Sequence, residues 1–219
     1  MVAYQTTYSD NFGKEETSFI SDGMSLKIQL RNHTFIGQSF ESLELQSETL
    51  SHSINNFSLS SDNFLTDCSF NIKIPIRLKD NSDTLISILN IEVFLENSIY
   101  PKTKVFALSI REEIFDIQKE PESGMWFETQ MIQLQKLLPK NRKIHSCIFC
   151  AYSNYWVGGS NCFGTLFCFK NVKEKILTIK DKDQYMEIAE GNGIATQETF
   201  WCPEFKEIGK NQWQYKDPI

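Results

Sequence analysis

Histidine is nearly missing from this chain: His33, His52 and His145 are the only three in 219 residues. A catalytic metal site built from several imidazoles therefore has no material, and no H-E-x-x-H string occurs. Neither G-x-S-x-G nor the phosphate-binding G-x-x-x-x-G-K-[ST] pattern is present. No apolar run approaches the ~20 residues that cross a bilayer. The opening Met1-Val2-Ala3-Tyr4-Gln5-Thr6-Thr7-Tyr8 has neither the basic start nor the apolar stretch of a signal peptide. We expect a cytoplasmic protein with no membrane association, and Asn32-His33-Thr34 and Asn56-Phe57-Ser58 then match the glycosylation pattern by chance. Basic side chains are also short, 22 against 28 acidic, for a formal net charge of −6. Such a surface repels phosphate backbones and argues against nucleic acid, while it suits a basic protein partner.

What the chain does have is cysteine in its last third. Cys147-Ile148-Phe149-Cys150 places two thiols two residues apart, so both can reach one ion from a single tight turn. Cys168 and Cys202 follow as the third and fourth ligands of a tetrahedral, structural Zn2+ site. Cys162, in a glycine-rich loop, and His145, two residues before Cys147, compete for those two places. Cys68 reads as a small buried apolar group. In a reducing compartment thiols bind metal or stay free more readily than they pair. Four thiolates around Zn2+ leave a site charge of −2, which takes the formal charge of the protein to about −8.

Residues 24–111 read as antiparallel strands. Phe70, Ile72, Ile74, Ile76 and Leu78 alternate with polar residues, the period-2 pattern of a sheet with one wet face. Met24, Leu26, Ile28 and Leu30 repeat it, as do Leu89, Ile91, Val93 and Leu95. Pro75 has no N–H for a ladder, so its strand is expected at an edge or to carry a bulge. The spacing of strands and polar turns predicts a β-sandwich-like region or partly closed barrel over 1–121.

After Pro121 the period changes. Phe127, Met131, Leu134 and Leu138, widened by Leu137, form a helical stripe, with Glu128, Gln130, Gln133 and Gln135 facing away. Ser123 can cap this helix, and Pro139 stops it. Residues 144–149, 164–170 and 174–180 read as strands, and Asp181 caps a short helix that Gly191 and Gly193 end. The expected class is α+β, mainly β: the sandwich-like region, one covering helix, and a zinc-stapled β-rich module over 122–219 sharing one core with it. Tyr152, Tyr155 and Trp156, before Gly158-Gly159, are either a binding hot spot or the material that closes over the ion.

The C-terminal stretch resembles a bacterial family of unknown function, number 6304. The resemblance rests on Leu138-Pro139, Cys147 to Cys150, Tyr152-Ser153, the glycine-rich 158–164 loop, Cys168-Phe169-Lys170, the lysine-rich 173–180 segment, Glu198-Thr199 and Cys202-Pro203-Glu204-Phe205. It covers about residues 123–206 and implies that Cys168 and Cys202, rather than Cys162, complete the site. Lys170 stands where an arginine is usual, a departure that leaves the ligands untouched.

The family carries no activity. Size, acidity, a β-rich scaffold and a structural metal lead to the expectation of a noncatalytic interaction protein, of the immunity type that neutralises a basic bacterial toxin domain by binding it. The alternatives are a zinc-dependent, hydrolase-like enzyme with Glu198 or Glu204 as base, and a regulatory module that answers to zinc or to oxidation of Cys162.

Overall fold

The computed structural model describes residues 1–46, 56–96, 102–110, 113–117, 126–159 and 162–216, the side chains of 102–106 excepted. The first part is a series of antiparallel strands: β1 (Val2–Asp10), β2 (Gly13–Ser21), β3 (Leu26–Leu30), β4 (His33–Gly37), β5 (Glu44–Leu45), β6 (Cys68–Asp80), β7 (Asp83–Leu95), β8 (Lys102–Ile110) and β9 (Glu113–Asp116). Their order is β5-β4-β3-β2-β1-β6-β7-β8-β9, and β10 (Arg142–Ile144) joins the same sheet through β6.

The predicted alternation holds. Phe70, Ile72, Ile74, Ile76 and Leu78 are all buried, and so are Leu26, Ile28 and Leu30, and Leu89, Ile91, Val93 and Leu95. Met24 is instead exposed, in the turn before β3. The two-sheet sandwich is corrected: among the described residues these strands form one continuous sheet. The sheet curls, because β7 near one end meets the Phe40–Ser42 turn that follows β4 near the other. One core therefore gathers apolar residues from β1, β3, β4, β6, β7 and β8. Alternation fixes which face is buried but not whether two layers are separate sheets or one bent on itself.

Pro75 sits in a central strand, not at a sheet edge. The β6–β7 register runs unbroken through Pro75↔Ile88, while on the other side of β6 the β1 pairing ends at Lys73 and the β10 pairing begins at Leu78. The missing N–H thus faces a gap between two partners, a local edge inside the sheet. The bulge lies elsewhere, at Asn90/Ile91 between β7 and β8.

Helix α1 (Phe127–Leu137) lies against β8 and β9 and buries Phe127, Met131 and Leu134. The proposed cap Ser123 is outside the described residues; Trp126 takes the N-cap position without a side-chain bond. Two expectations for this helix are corrected. Glu128 and Gln130 are buried, and Leu137 is 50% exposed. The C-terminal third adds to the packing at this helix: Phe163 from the glycine-rich loop meets Phe127 edge-on at 5.3 Å and stacks on Phe40 at 4.6 Å, and the Glu128 charge acts on Tyr155 and Lys216.

The C-terminal third holds a small antiparallel sheet, β11 (Ser153–Tyr155), β12 (Leu166–Cys168) and β13 (Ile194–Thr196), with α2 (Lys173–Thr178) and α3 (Lys182–Ala189). Of the expected 144–149 strand only Ile144 is extended, as the last residue of β10 (Arg142–Ile144); Cys147–Phe149 is a tight 3-10 turn. The expected strand over 174–180 is helix, since Val172, Ile176 and Ile179 recur at helical spacing in a lysine- and glutamate-rich segment. Asp181 does cap α3, its carboxylate accepting the Gln184 N–H at 2.9 Å, and Gly191 beyond it has φ +73°. No helix among the described residues is long and apolar enough to cross a membrane.

The C-terminal third has buried clusters of its own, around Phe169, Ile176 and Tyr185 and around Tyr155 and Leu166, and reaches the sheet at a few points. Ile148, Phe149 and Phe163 belong to the same buried cluster as the strands. Gly164, at φ +85°, lies so close to the sheet that a Cβ would stand 2.3 Å from the Gln38 carbonyl oxygen.

Candidate functional site

Backbone hydrogen bonds bring three segments together around the C-x2-C turn. Within the turn the Cys150 N–H bonds the Cys147 carbonyl at 3.0 Å, so both thiols leave one tight bend. Residues 198–207 run beside it: Cys147 N–H donates to the Phe200 carbonyl at 2.7 Å, and Ala151 N–H to the Lys206 carbonyl at 2.7 Å. Cys202 lies between these two anchors. Cys168 arrives on β12, paired with Ser153 of β11, and the Phe169 N–H bonds the Tyr152 carbonyl at 2.7 Å.

The four sulfurs act on one another. Burial pushes the Cys147 thiol up, and Cys150, Cys168 and Cys202 each push it further. Burial likewise raises Cys168, with Cys150 and Cys202 adding to it, while the Lys170 N–H bonded to its sulfur works the other way. Thr196 Oγ1 donates to Cys147 Sγ at 3.8 Å. All six cysteines are free of disulfides. Among the described residues no group of three or more His, Cys, Asp or Glu side chains is already arranged to hold a metal ion. The thiols are gathered, but their sulfurs do not form a ready shell.

The chemistry of the surroundings suits thiolates all the same. An N–H and a hydroxyl point at sulfur, and the Lys170 charge favours the ionised form of Cys168. Deeper in, the Lys216 ammonium donates to the carbonyls of Ile148 and Cys150 and to Ser153 Oγ at 2.9, 3.0 and 2.9 Å. Burial draws its pKa down to about 8, and the largest opposing influence is Cys150, followed by Glu128, Cys147 and Cys168. A divalent ion that ionises the thiols would reverse the local balance of charge, as metals do in thiolate sites. Cys147, Cys150, Cys168 and Cys202 are the residues that could hold it.

The competing ligands stand apart. Cys162 lies in the loop before Gly164 and acts on the Tyr155 hydroxyl. The His145 ring packs tilted against Phe205 with centroids 4.2 Å apart, and its Nε2 is 3.9 Å from Glu207. His145 lines a cleft of about 600 Å³ together with Phe205, Glu207, Phe149, Trp213 and Lys216. Cys68 is buried at the start of β6, in register with Leu95 of β7, its thiol pushed up to about 12 by burial and then by Asp10 and Asp67.

The chain belongs to a family of unknown function. Its match to that family, DUF6304, runs over residues 2–153. The resemblance read from sequence motifs lay over 123–206; the family match instead takes in the curled sheet, α1 and the C-x2-C turn, and stops before Cys168 and Cys202. No curated protein and no solved structure matches the chain.

The aromatic set divides. Trp156 is 44% exposed, with its ring 6.2 Å from that of Phe167, beside Gly158 at φ +81°. Tyr152 is half-buried, with the ammonium groups of Lys173 and Lys206 5.8 and 6.0 Å from its ring. Tyr155 is wholly buried, so the reading of it as a surface contact is withdrawn. In the run Ser153-Asn154-Tyr155 every residue is buried, because β11 is covered on both faces.

Both candidate bases are committed elsewhere. The Glu198 carboxylate accepts the N–H groups of Gly164 at 2.6 Å and Thr165 at 3.3 Å, in a buried position that pushes its pKa up to about 8. Glu204 is exposed and ion-paired with Lys173, which holds its carboxyl below the usual range and weakens it as a base. Sequence reasoning missed Lys216 and Thr196, which carry no motif, and gave Ser153 no role beyond its place in the Tyr152-Ser153 pair. It also missed Arg77, whose guanidinium carbon lies 3.5 Å from the centre of the Trp201 ring next to Cys202.

Proposed function

We propose that this chain is a noncatalytic interaction protein, of the immunity type, that binds and neutralises a basic toxin domain, and that one structural Zn2+ held by Cys147, Cys150, Cys168 and Cys202 fixes the surface it uses. The observation that carries the reading is Trp156: an exposed indole set directly after β11, the strand that pairs with Cys168. A large aromatic held on a rigid support is the usual anchor of a binding hot spot. The net charge of −6 favours a basic partner and speeds its approach. The closed chemistry of a four-sulfur site offers no water for hydrolysis.

The test is growth protection. Cells expressing a toxin-like gene taken from beside this one are expected to survive when the chain is co-expressed, and Trp156→Ala is expected to fold normally, keep its zinc and lose protection. Survival with Trp156→Ala equal to wild type would remove the hot spot. Purified protein lacking stoichiometric zinc would remove the metal from the reading.

A further inference from the structure

Lys216 is a part-buried cation beside the C-x2-C turn, and its three N–H bonds are all used: the carbonyls of Ile148 and Cys150 and the Ser153 hydroxyl oxygen accept them at 2.9, 3.0 and 2.9 Å. Ser153 in turn directs its own hydrogen toward the carbonyls of Cys147 and Cys150. Every one of these contacts falls on the back of the C-x2-C turn or on the strand that leaves it. All three acceptors of Lys216 are neutral oxygens, and the charges that favour its ammonium form are those of Cys150, then Glu128, Cys147 and Cys168. The ammonium is part-buried and its hydrogen-bond acceptors are neutral, so further negative charge at the turn strengthens its seat.

The segment that carries Lys216 is itself laid along the same turn. Glu207 bridges to Cys150, the Lys206 carbonyl takes the Ala151 N–H, Gln212 Nε2 donates to the Ala151 carbonyl at 2.8 Å, and the Tyr215 N–H reaches Asn154 Oδ1 at 2.8 Å. Beyond the turn, Trp213 and Tyr215 pack on Tyr185 of α3. The strap formed by residues 206–216 therefore reads the conformation of residues 147–154 at several points.

We propose that Lys216 is the built-in counter-cation of the four-thiolate centre, and that it latches the 206–216 strap to the C-x2-C turn when the metal is bound. The inference rests on the zinc reading above and extends it. Four thiolates and Zn2+ carry a net −2, and a fixed ammonium bonded to the carbonyl of one ligand, Cys150, and to that of Ile148 within the same turn offsets half of it without entering the shell. Linkage makes the effect mutual: whatever the seated lysine adds to metal affinity, the metal returns to the seating of the strap.

The experiment measures Zn2+ affinity by competition with a chromophoric chelator, and the Co2+ charge-transfer spectrum, for the full chain and for Lys216→Met, Lys216→Gln and Lys216→Arg. Amide exchange at Tyr215 and Ala151 is followed with and without Zn2+. Wild type is expected to bind one Zn2+ and to show a four-sulfur cobalt spectrum. Lys216→Met and Lys216→Gln should keep that spectrum but bind about tenfold or more weakly, and Lys216→Arg should recover most of the loss. Removing zinc should speed exchange at Tyr215 in wild type and change it little in Lys216→Met. If Lys216→Met does not fold, the Gln and Arg variants decide between a hydrogen-bonding and a charge role; equal affinity in the two overturns the proposal. Wild type that binds zinc no better than Lys216→Gln overturns the latch alone, whereas wild type that takes up neither Zn2+ nor Co2+ overturns the metal site itself.

Discussion

The guanidinium of Arg77 covers the ring of Trp201 at 3.5 Å, so a central strand of the curled sheet grips the residue immediately before Cys202. The same arginine accepts the His145 N–H on its carbonyl at 2.8 Å, two residues before Cys147. One position on β6 thus steadies both arms that lead to the thiols. Arg77→Met is expected to lower stability by about 1 kcal/mol, the worth of a partly buried cation–π contact, and to quicken zinc release. Urea unfolding and chelator-driven zinc loss measure the two effects; Arg77→Lys should lie between.

Gly164 and Gly23 are the close-approach points between the sheet and the C-terminal third. At Gly164, φ is +85° and a Cβ would meet the Gln38 carbonyl oxygen at 2.3 Å; at Gly23, φ is +90° and a Cβ would meet the Phe200 ring at 2.5 Å. Gly164→Ala must move backbone, whereas Gly23→Ala must move an aromatic ring. We expect Gly164→Ala to cost roughly 3 kcal/mol or more, through both backbone strain and clash, and Gly23→Ala to cost less. Thermal melts of the two variants rank them, and the reverse order would mean that the 158–164 loop yields more readily than the packing around Phe200.

Much of the fold was legible because a period-2 pattern over Phe70 to Leu78 can satisfy only one arrangement, apolar face inward. The curl was not, since the same alternation serves two sheets or one. Pro75 was read correctly as a break in pairing but wrongly as an outer edge, because no local signal says that β1 stops and β10 starts on either side of it. Glu128 and Gln130 defeated the helix reading for a similar reason: periodicity identifies the stripe that faces the sheet, and contacts with the distant C-terminal third leave no trace in the helix itself.

In the site, the spacing of Cys147 and Cys150 revealed the turn, and the structure carries Cys168 and Cys202 to it through segments whose pairing no motif encodes. Tyr155 was misread because a short strand buried on both faces shows no alternation. Lys216 gave no signal at all. A lysine near the end of an acidic chain ordinarily stays in water, and only the three oxygens around its Nζ set it apart.

Glu198 predicts a pH dependence of stability. Its carboxyl is buried, and burial raises its pKa from 4.5 to about 8. The folded protein therefore holds this proton to higher pH than the unfolded chain does. The contribution is full below about pH 4.5 and is lost as pH rises through about 8. Glu198→Gln keeps an acceptor for the Gly164 N–H and cannot ionise. It is expected to be more stable than wild type near pH 9 by a few kcal/mol, with the difference shrinking or reversing near pH 4.5. Urea midpoints of both proteins across that range measure it; a constant difference would show that the carboxyl does not titrate in the window.

Cys168 and Cys162 give the proposed zinc site a paired test. Cys168 pairs with the strand leaving the C-x2-C turn, accepts the Lys170 N–H on sulfur, and responds to Cys150 and Cys202. Cys162 lies on the other side of Gly164, its carbonyl accepting the Thr165 hydroxyl at 2.8 Å. Cys168→Ser removes a soft anionic donor that oxygen does not replace, so zinc should fall well below one per chain and the melting temperature should drop, since site formation and folding of this part are one event. Cys162→Ser should retain full zinc and lose no more than about 0.5 kcal/mol, as expected of a substitution outside the metal site and the main core. Metal analysis and calorimetry on the pair give the answer. Loss of zinc from Cys162→Ser, with Cys168→Ser unaffected, would move the third ligand into the glycine-rich loop and require that loop to swing past Gly164 toward the turn.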